Sequence, residues 1–246
     1  MGYSGESGSV ISRRQALILL GVGGATMVAG RSNVYSASPR SNDGKLPACI
    51  VTPKQTEGPF FVDERLKRSD IRVDPSDGRI KSGVPLRLTL RVSAVGGAGC
   101  NPVPGAIVDI WQCDAVGVYS AVNEPGSQRT AAKSFLRGYQ ITEADGSAQF
   151  TTIYPGWYPG RTVHIHFKVR VSGNSGRDQE LASQLYFDDG LTDRIHTQSP
   201  YAGKGQRTVR NQRDRLFRNG GRQLMLSPAQ SGEGYLATFD IGLQMA

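Results

Sequence analysis

Cysteine and histidine are both scarce in this chain, with three of each among 246 residues. Three cysteines cannot all pair within one chain. Cys49 and Cys100 lie in loop-like sequence and Cys113 lies in or just after an apolar run, so the favoured disulfide is Cys49 to Cys100. Long apolar runs are also lacking. The one from Ala16 to Ala29 has fourteen residues, three of them glycine, too short to span a bilayer comfortably, so a permanent membrane span is not expected. No cysteine follows that run closely, which gives no sign of a lipid anchor. No internal repeat and no long amphipathic run is present, and Gly, Pro and short apolar stretches favour strands over helices.

The chain opens with a polar segment, then the pair Arg13 and Arg14, then the apolar run. That order is an export signal of the twin-arginine type, although Ala16 and Ile18 replace the usual aromatic and lysine. The expected organisation is an export signal over 1–37, a linker over 38–48 and one catalytic domain over 49–246. The product is expected outside the cytoplasm, and the export machinery is one expected partner. The formal charge of +8 falls to +6 without the signal, which carries Arg13, Arg14, Arg31 and Glu6. The stretch from Arg207 to Arg222 holds six arginines and one acid. Phe217 is its single aromatic and no nucleic-acid motif accompanies it, so a solvated loop or short helix is expected and nucleic acid is not an expected partner.

The stretch YPGWYPGRTVHIHFKVRV, Tyr154 to Val171, is the centre of the chain. From Val163, apolar residues alternate with His164, His166, Lys168 and Arg170, the period of a strand with one apolar face. Both imidazoles then fall on one face, close enough to share a metal. Two polar residues on a solvated face are the plain alternative. Zinc would need a third His, Cys or carboxylate. Only His196 remains among the histidines, and Arg170 stands where a barrel-type His-x-His site would want a carboxylate. Two Pro-Gly turns bracket Tyr158 beside the strand, so the additional ligands on offer are tyrosines.

Further strands are expected at Leu86–Val92, at AIVDIW leading into a loop that presents Tyr119, and at 136–142, 148–153, 181–187 and 235–243. EADG is expected as the hairpin turn between the third and fourth of these. The stretch CIVTPKQTEGPFFVDERLKRSDIR is expected as an extended segment laid over the domain. Short, regularly spaced strands predict an all-β, single-domain β-sandwich or barrel.

Read together, TPKQTEGPFF, GAIVDIWQCDAVGVYS, the Asp-Gly turn, TIYPGWYPGRTVHIHFKV, SQLYF and GEGYLATFDIGL resemble the intradiol ring-cleavage dioxygenases. The similarity runs from about residue 49 to the C-terminus. It is to the exported single-domain branch and to the catalytic subunits of protocatechuate 3,4-dioxygenases, without the helical N-terminal domain of catechol 1,2-dioxygenases. The resemblance implies a β-sandwich with a non-haem iron(III), Fe(3+), held by Tyr119, Tyr158, His164 and His166. It implies Arg161, Tyr158 and Gln184 as catalytic residues, and it places Trp157 either on the pocket wall or in packing. A catechol-type diol and O2 are the implied substrates and a muconate-type dicarboxylate the product. Against this stand a metal-binding β-sandwich without activity and a zinc hydrolase built on the same two histidines.

Overall fold

In the computed structural model the described residues are 50–96, 99–122, 130–172 and 178–244, with Gly2. Apart from Gly2, the expected signal over 1–37, the linker and Cys49 lie outside them. Nine strands are present among them: β1 (Pro85–Gly96), β2 (Gly99–Pro102), β3 (Ile107–Trp111), β4 (Arg137–Ile141), β5 (Ser147–Ile153), β6 (His164–Val171), β7 (Gln179–Tyr186), β8 (Ala229–Ser231) and β9 (Gly234–Gln244). One sheet runs β4-β3-β6-β7, all antiparallel. The other runs β2-β1-β9-β8, with β5 also on β1 and with β1 and β9 parallel. The expected strands are all present, and the fold is the expected β-sandwich. Among the described residues no helix is long and apolar enough to cross a membrane.

The core follows from period-two alternation. Leu86, Leu88, Leu90 and Val92 of β1 face Ile165, Phe167 and Val169 of β6 within one buried cluster, with Val108, Ile110 and Phe150. Burial of a large aliphatic or aromatic side chain is worth about 1.5–3 kcal/mol, so this interleaved layer dominates the stability of the unit. Phe167 and Phe239 meet across the two sheets with centroids 6.4 Å apart.

The EADG turn departs from expectation. It is a tight turn, closed by Gly146 N–H to Glu143 O at 2.9 Å and Glu143 N–H to Ser147 O at 2.9 Å. It nevertheless carries the chain from one sheet to the other, because β4 pairs with β3 and β5 with β1. Turn chemistry is local, whereas the partner is chosen by burial. Ala148 and Phe150 lie opposite Leu90 and Leu88, and that register puts all four side chains into the core.

The free edges of the four-stranded sheet are covered by the extended segment from Ile50 to Arg72, as the Thr-Pro and Gly-Pro punctuation predicts. Gln55 N–H bonds Ala182 O at 2.9 Å on β7, and Tyr139 N–H bonds Leu66 O at 2.9 Å on β4. Edge groups that would otherwise template another chain are thereby satisfied. Cys100 is disulfide-bonded and Cys113 is a buried free thiol. The arginine-rich stretch forms short helical turns, among them α2 (Arg215–Arg218), and α1 (Asp189–His196) precedes it.

Candidate metal centre

The site is built on the outer face of the four-stranded sheet. Register aligns Arg137 of β4 with Trp111 of β3, Trp111 with His166 of β6, and His166 with Gln184 of β7. The same pairing sets His164 beside Tyr186. Cross-strand partners share a face, so one row carries an arginine, an indole, an imidazole and an amide. The indole of Trp111 stacks on His166 with centroids 4.9 Å apart and planes 8° apart. This face is not solvated, contrary to the plain reading of the alternation: His164 and His166 are 2% and 1% exposed, and Lys168 is buried. The extended segment closes over it. Gly58 lies against His166, where a Cβ would meet Cε1 at 3.3 Å, and its φ of +72° also favours glycine.

Two loops bring in the tyrosines. After β3, Asp114 Oδ1 accepts from Val116 N–H at 3.0 Å and Val118 N–H at 2.9 Å, an Asx-type turn that folds the chain back. Thr130 Oγ1 then donates to Tyr119 O at 2.7 Å, and the Arg137 guanidinium donates to Ser120 O at 2.6 Å. Tyr119 stacks on Phe60 at 4.3 Å and meets Tyr158 edge-on at 5.6 Å. The second loop, between β5 and β6, is tied to the first by Gly156 N–H to Asp114 O at 3.1 Å. Trp157 packs there, donating Nε1–H to Gly205 O at 3.2 Å. Of the two positions the resemblance allows it, it takes the packing one.

The four groups converge. His164 Nε2 lies 3.0 Å from His166 Nε2, 3.2 Å from Tyr158 Oη and 3.5 Å from Arg161 Nη1. His164 Nδ1 faces Thr162 O at 2.6 Å and must carry the proton of a neutral ring, which leaves a bare lone pair at Nε2. One lone pair cannot serve three neighbours. Burial, reinforced by Arg161, pushes His164 down to about 3. Burial also drives His166 well below its ordinary value. Both imidazoles are therefore neutral, the state in which they ligate metal. Tyr119 Oη is buried without a hydrogen-bond partner, as is His166 Nδ1. Burial raises both phenols, Tyr158 to about 12, so neither ionises at neutral pH without a cation to compensate. A hard trivalent ion supplies that compensation and prefers phenolate oxygen. The donor set fits it. Among the described residues no group of three His, Cys, Asp or Glu could hold a metal, so the zinc alternative lacks its third ligand. His196 is elsewhere, stacked on Tyr201 and bonded to Pro155 O at 3.1 Å.

Arg161 is held at each end of its fork. Nε donates to Asp214 Oδ2 at 2.8 Å, and Nη2 donates to Gln184 Oε1 at 2.5 Å. Asp214 Oδ2 also accepts from Thr162 N–H at 2.9 Å, while Oδ1 caps α2 through Leu216 N–H at 2.7 Å. Gln184 Nε2 donates to Thr56 O at 3.1 Å. Gln55 completes the network, accepting from Tyr186 Oη at 2.8 Å and donating to Leu216 O at 2.9 Å. The structure therefore brings every residue of the implied ligand and catalytic set together. Sequence reasoning missed Trp111, Phe60, Gln55 and Asp214. Asp214 had one visible signal, being the lone acid among six arginines. A cavity of about 560 Å³ opens onto the site, bounded by Phe60, Val118, Tyr119, Tyr158, Arg161 and Lys204 among others.

Comparison with known proteins agrees. The family model described as Dioxygenase matches residues 56–216. Hydroxyquinol 1,2-dioxygenase of Nocardioides simplex is 31% identical over 188 residues, covering 76% of this chain and 56% of that protein. Catechol 1,2-dioxygenase 1 of Acinetobacter lwoffii is 30% identical over 149 residues, covering 51% of this chain and 43% of its own. The solved intradiol ring-cleavage dioxygenase from Tetranychus urticae superposes with a TM-score of 0.66 at 32% identity, over 80% of this chain and 95% of that one. This chain thus belongs to the intradiol ring-cleavage dioxygenase family. It spans about half the length of the curated relatives it matches.

Proposed function

We propose that the protein binds one iron(III) through Tyr119, Tyr158, His164 and His166 and cleaves a catechol-type diol between its two hydroxyls with O2, giving a muconate-type dicarboxylate. The observation that carries this reading is the convergence of two neutral imidazoles with the phenols of Tyr119 and Tyr158, both of which line the cavity, with Tyr119 Oη unpartnered. When bound, iron(III) would supply a Lewis-acidic centre that makes a chelated diolate ring reactive toward O2.

The remaining chemistry belongs to the protein. Tyr119 is stacked and buried, which suits a permanent ligand, whereas Tyr158 is half-buried at the cavity. Tyr158 Oη is therefore the atom placed to take a proton from a substrate hydroxyl. Arg161, aimed by Asp214 and Gln184, keeps a charged donor at the site before substrate arrives. Phe60, Val118 and Val122 form an apolar wall against which a ring can pack and exclude water.

Metal analysis, a visible spectrum and oxygen uptake with catechol test this together. The expected result is about one iron per chain, a tyrosinate charge-transfer band and O2 consumption with catechol. Stoichiometric zinc, no visible band and no oxygen uptake would overturn the reading. We also propose that the Arg13-Arg14 signal exports the chain already folded, since a centre joining Tyr119 to His166 exists only in the folded state. Arg13→Lys with Arg14→Lys should then retain iron-loaded enzyme in the cytoplasm, as read by cell fractionation.

A further inference from the structure

We infer that Arg137 is a positioning residue of the metal centre: it clamps the loop that presents Tyr119 to the segment roofing the histidines, and sets a fixed positive charge on the tyrosine side of the site. The inference rests on the iron-binding reading above. Arg137 heads the row that continues through Trp111 and His166 to Gln184, and both ends of that row grip the roof. Gln184 Nε2 donates to Thr56 O at 3.1 Å at one end, and Arg137 Nη1 donates to Phe60 O at 3.2 Å at the other. Gly58, between them in the chain, lies against His166.

The rest of the guanidinium holds Ser120, the neighbour of Tyr119. Nε donates to Ser120 Oγ at 2.9 Å and Nη2 donates to Ser120 O at 2.6 Å. Phe60 stacks on Tyr119, so one planar fork fixes both the backbone beside the tyrosine and the residue whose ring lies on it. Two non-glycine residues in the left-handed region flank the clamp, Ala121 at φ +60° after Ser120 and Leu136 at φ +54° before Arg137. Strain of this kind persists only where the surrounding structure over-determines it. The charge is as distinctive as the geometry. Arg137 is the one buried arginine among the described residues. It makes no ion pair among them, whereas Arg161, Arg170 and Arg207 each hold a carboxylate. Its three acceptors are neutral oxygens. A buried cation without a contacting counter-charge is costly. The negative charges that act on it are Glu64, which forms no ion pair with it, and Tyr119 in its anionic form. A phenolate ligand at Tyr119 is therefore the anion that the site itself sets against this cation.

Iron affinity by chelator competition and the position of the tyrosinate charge-transfer band test this in Arg137→Met, Arg137→Lys and Ser120→Ala. The band moves an electron from phenolate to iron, so a cation on the tyrosine side raises its energy. Arg137→Met should lower iron affinity by about 10–100-fold and move the band to longer wavelength. Arg137→Lys should also lower affinity, because an ammonium lacks the fork that spans Ser120 and Phe60, yet keep the band near its wild-type position because the charge remains. Ser120→Ala removes one acceptor and no charge. It should lower affinity less than either and leave the band in place. Val108→Ala, in the core between the sheets, is the control for stability alone and should lower the melting temperature with both readouts unmoved. If Arg137→Met behaves like that control, the residue is merely structural and the inference fails. Equal band shifts in Arg137→Met and Arg137→Lys refute the fixed charge. Should Arg137→Met not fold, the other two variants decide, and wild-type affinity in both overturns the clamp. A wild-type protein with neither iron nor a visible band would instead sink the functional reading, an outcome distinct from all of these.

Discussion

The outer faces of the two sheets carry the same kind of pattern and have opposite fates. On β6, His164, His166, Lys168 and Arg170 alternate with apolar residues, and on β1, Arg87, Thr89, Arg91 and Ser93 do the same. The β1 face meets water, with Arg87, Arg91, Thr238 and Asp240 exposed. The β6 face is roofed by the segment from Thr52 to Phe61 and by the two tyrosine loops, and three of its four polar residues are buried. Roofing creates the chemistry. It strips water from the imidazoles and phenols, so that each is neutral until a cation arrives, and it leaves Tyr119 Oη and His166 Nδ1 without a partner.

That contrast is broken most severely by removing a group beneath the roof. Tyr119→Phe should reduce iron affinity by more than about 100-fold, since even outer-shell changes cost 10–100-fold. His166→Ala should do the same and also leave Trp111 without its stacking partner. Metal content after dialysis against a chelator, with loss of the visible band, measures both. Tyr158→Phe is expected to differ, keeping iron but binding catechol slowly because the proton acceptor is gone. Equal iron loss in the two tyrosine variants would contradict the division between a buried and a half-buried ligand.

Asp214 tests whether the roof positions charge as well as excluding water. Asp214→Asn keeps an acceptor near Arg161 and Thr162 but removes the counter-charge. Turnover should fall by about 10–100-fold with iron retained. A structural role alone would lower melting temperature and leave the ratio of kcat to KM unmoved. Burial pushes the Asp214 carboxyl up, but the Thr162 N–H and Arg161 outweigh it and hold the group below the usual carboxylate range. The unfolded chain therefore takes up this proton at a higher pH than the folded one. The contribution of Asp214 to stability is complete at neutral pH, begins to fade below about pH 4, and is lost as pH falls through the folded value. Wild type and Asp214→Asn should accordingly converge in stability only in strong acid.

What could be read from the sequence divides along the same line. The His-x-His alternation and the two Pro-Gly turns are local features, and they place His164, His166 and Tyr158 correctly. The roof is not local. TPKQTEGPFF has no periodicity that reveals which face it covers, so the buried state of His166 and its stacking on Trp111 were invisible. Asp214 sits 53 residues from Arg161 along the chain, and only the folded loop joins them. The residues of EADG predict a turn, which forms, but they do not reveal that it joins two sheets, because the choice between β3 and β1 as a partner depends on core burial. β2 and β8 were missed because they are four and three residues long and largely exposed, with no apolar face to announce them.

The smallest expected effect lies on the open face, and it sharpens the comparison. Arg91 and Asp240 form a two-pronged ion pair at 2.6 and 2.9 Å, with geometry as good as that of Arg161 and Asp214. Both side chains are 47% exposed, so water screens the attraction, and ordering two long side chains offsets much of what remains. A double-mutant cycle on Arg91→Ala and Asp240→Ala should give a coupling of about 0.2–1 kcal/mol, shrinking in salt. Iron content and turnover should not change, since neither residue touches the roofed face. A coupling as large as that between Arg161 and Asp214 would mean that geometry rather than burial sets the strength of these pairs, and the distinction between the two faces would then fail.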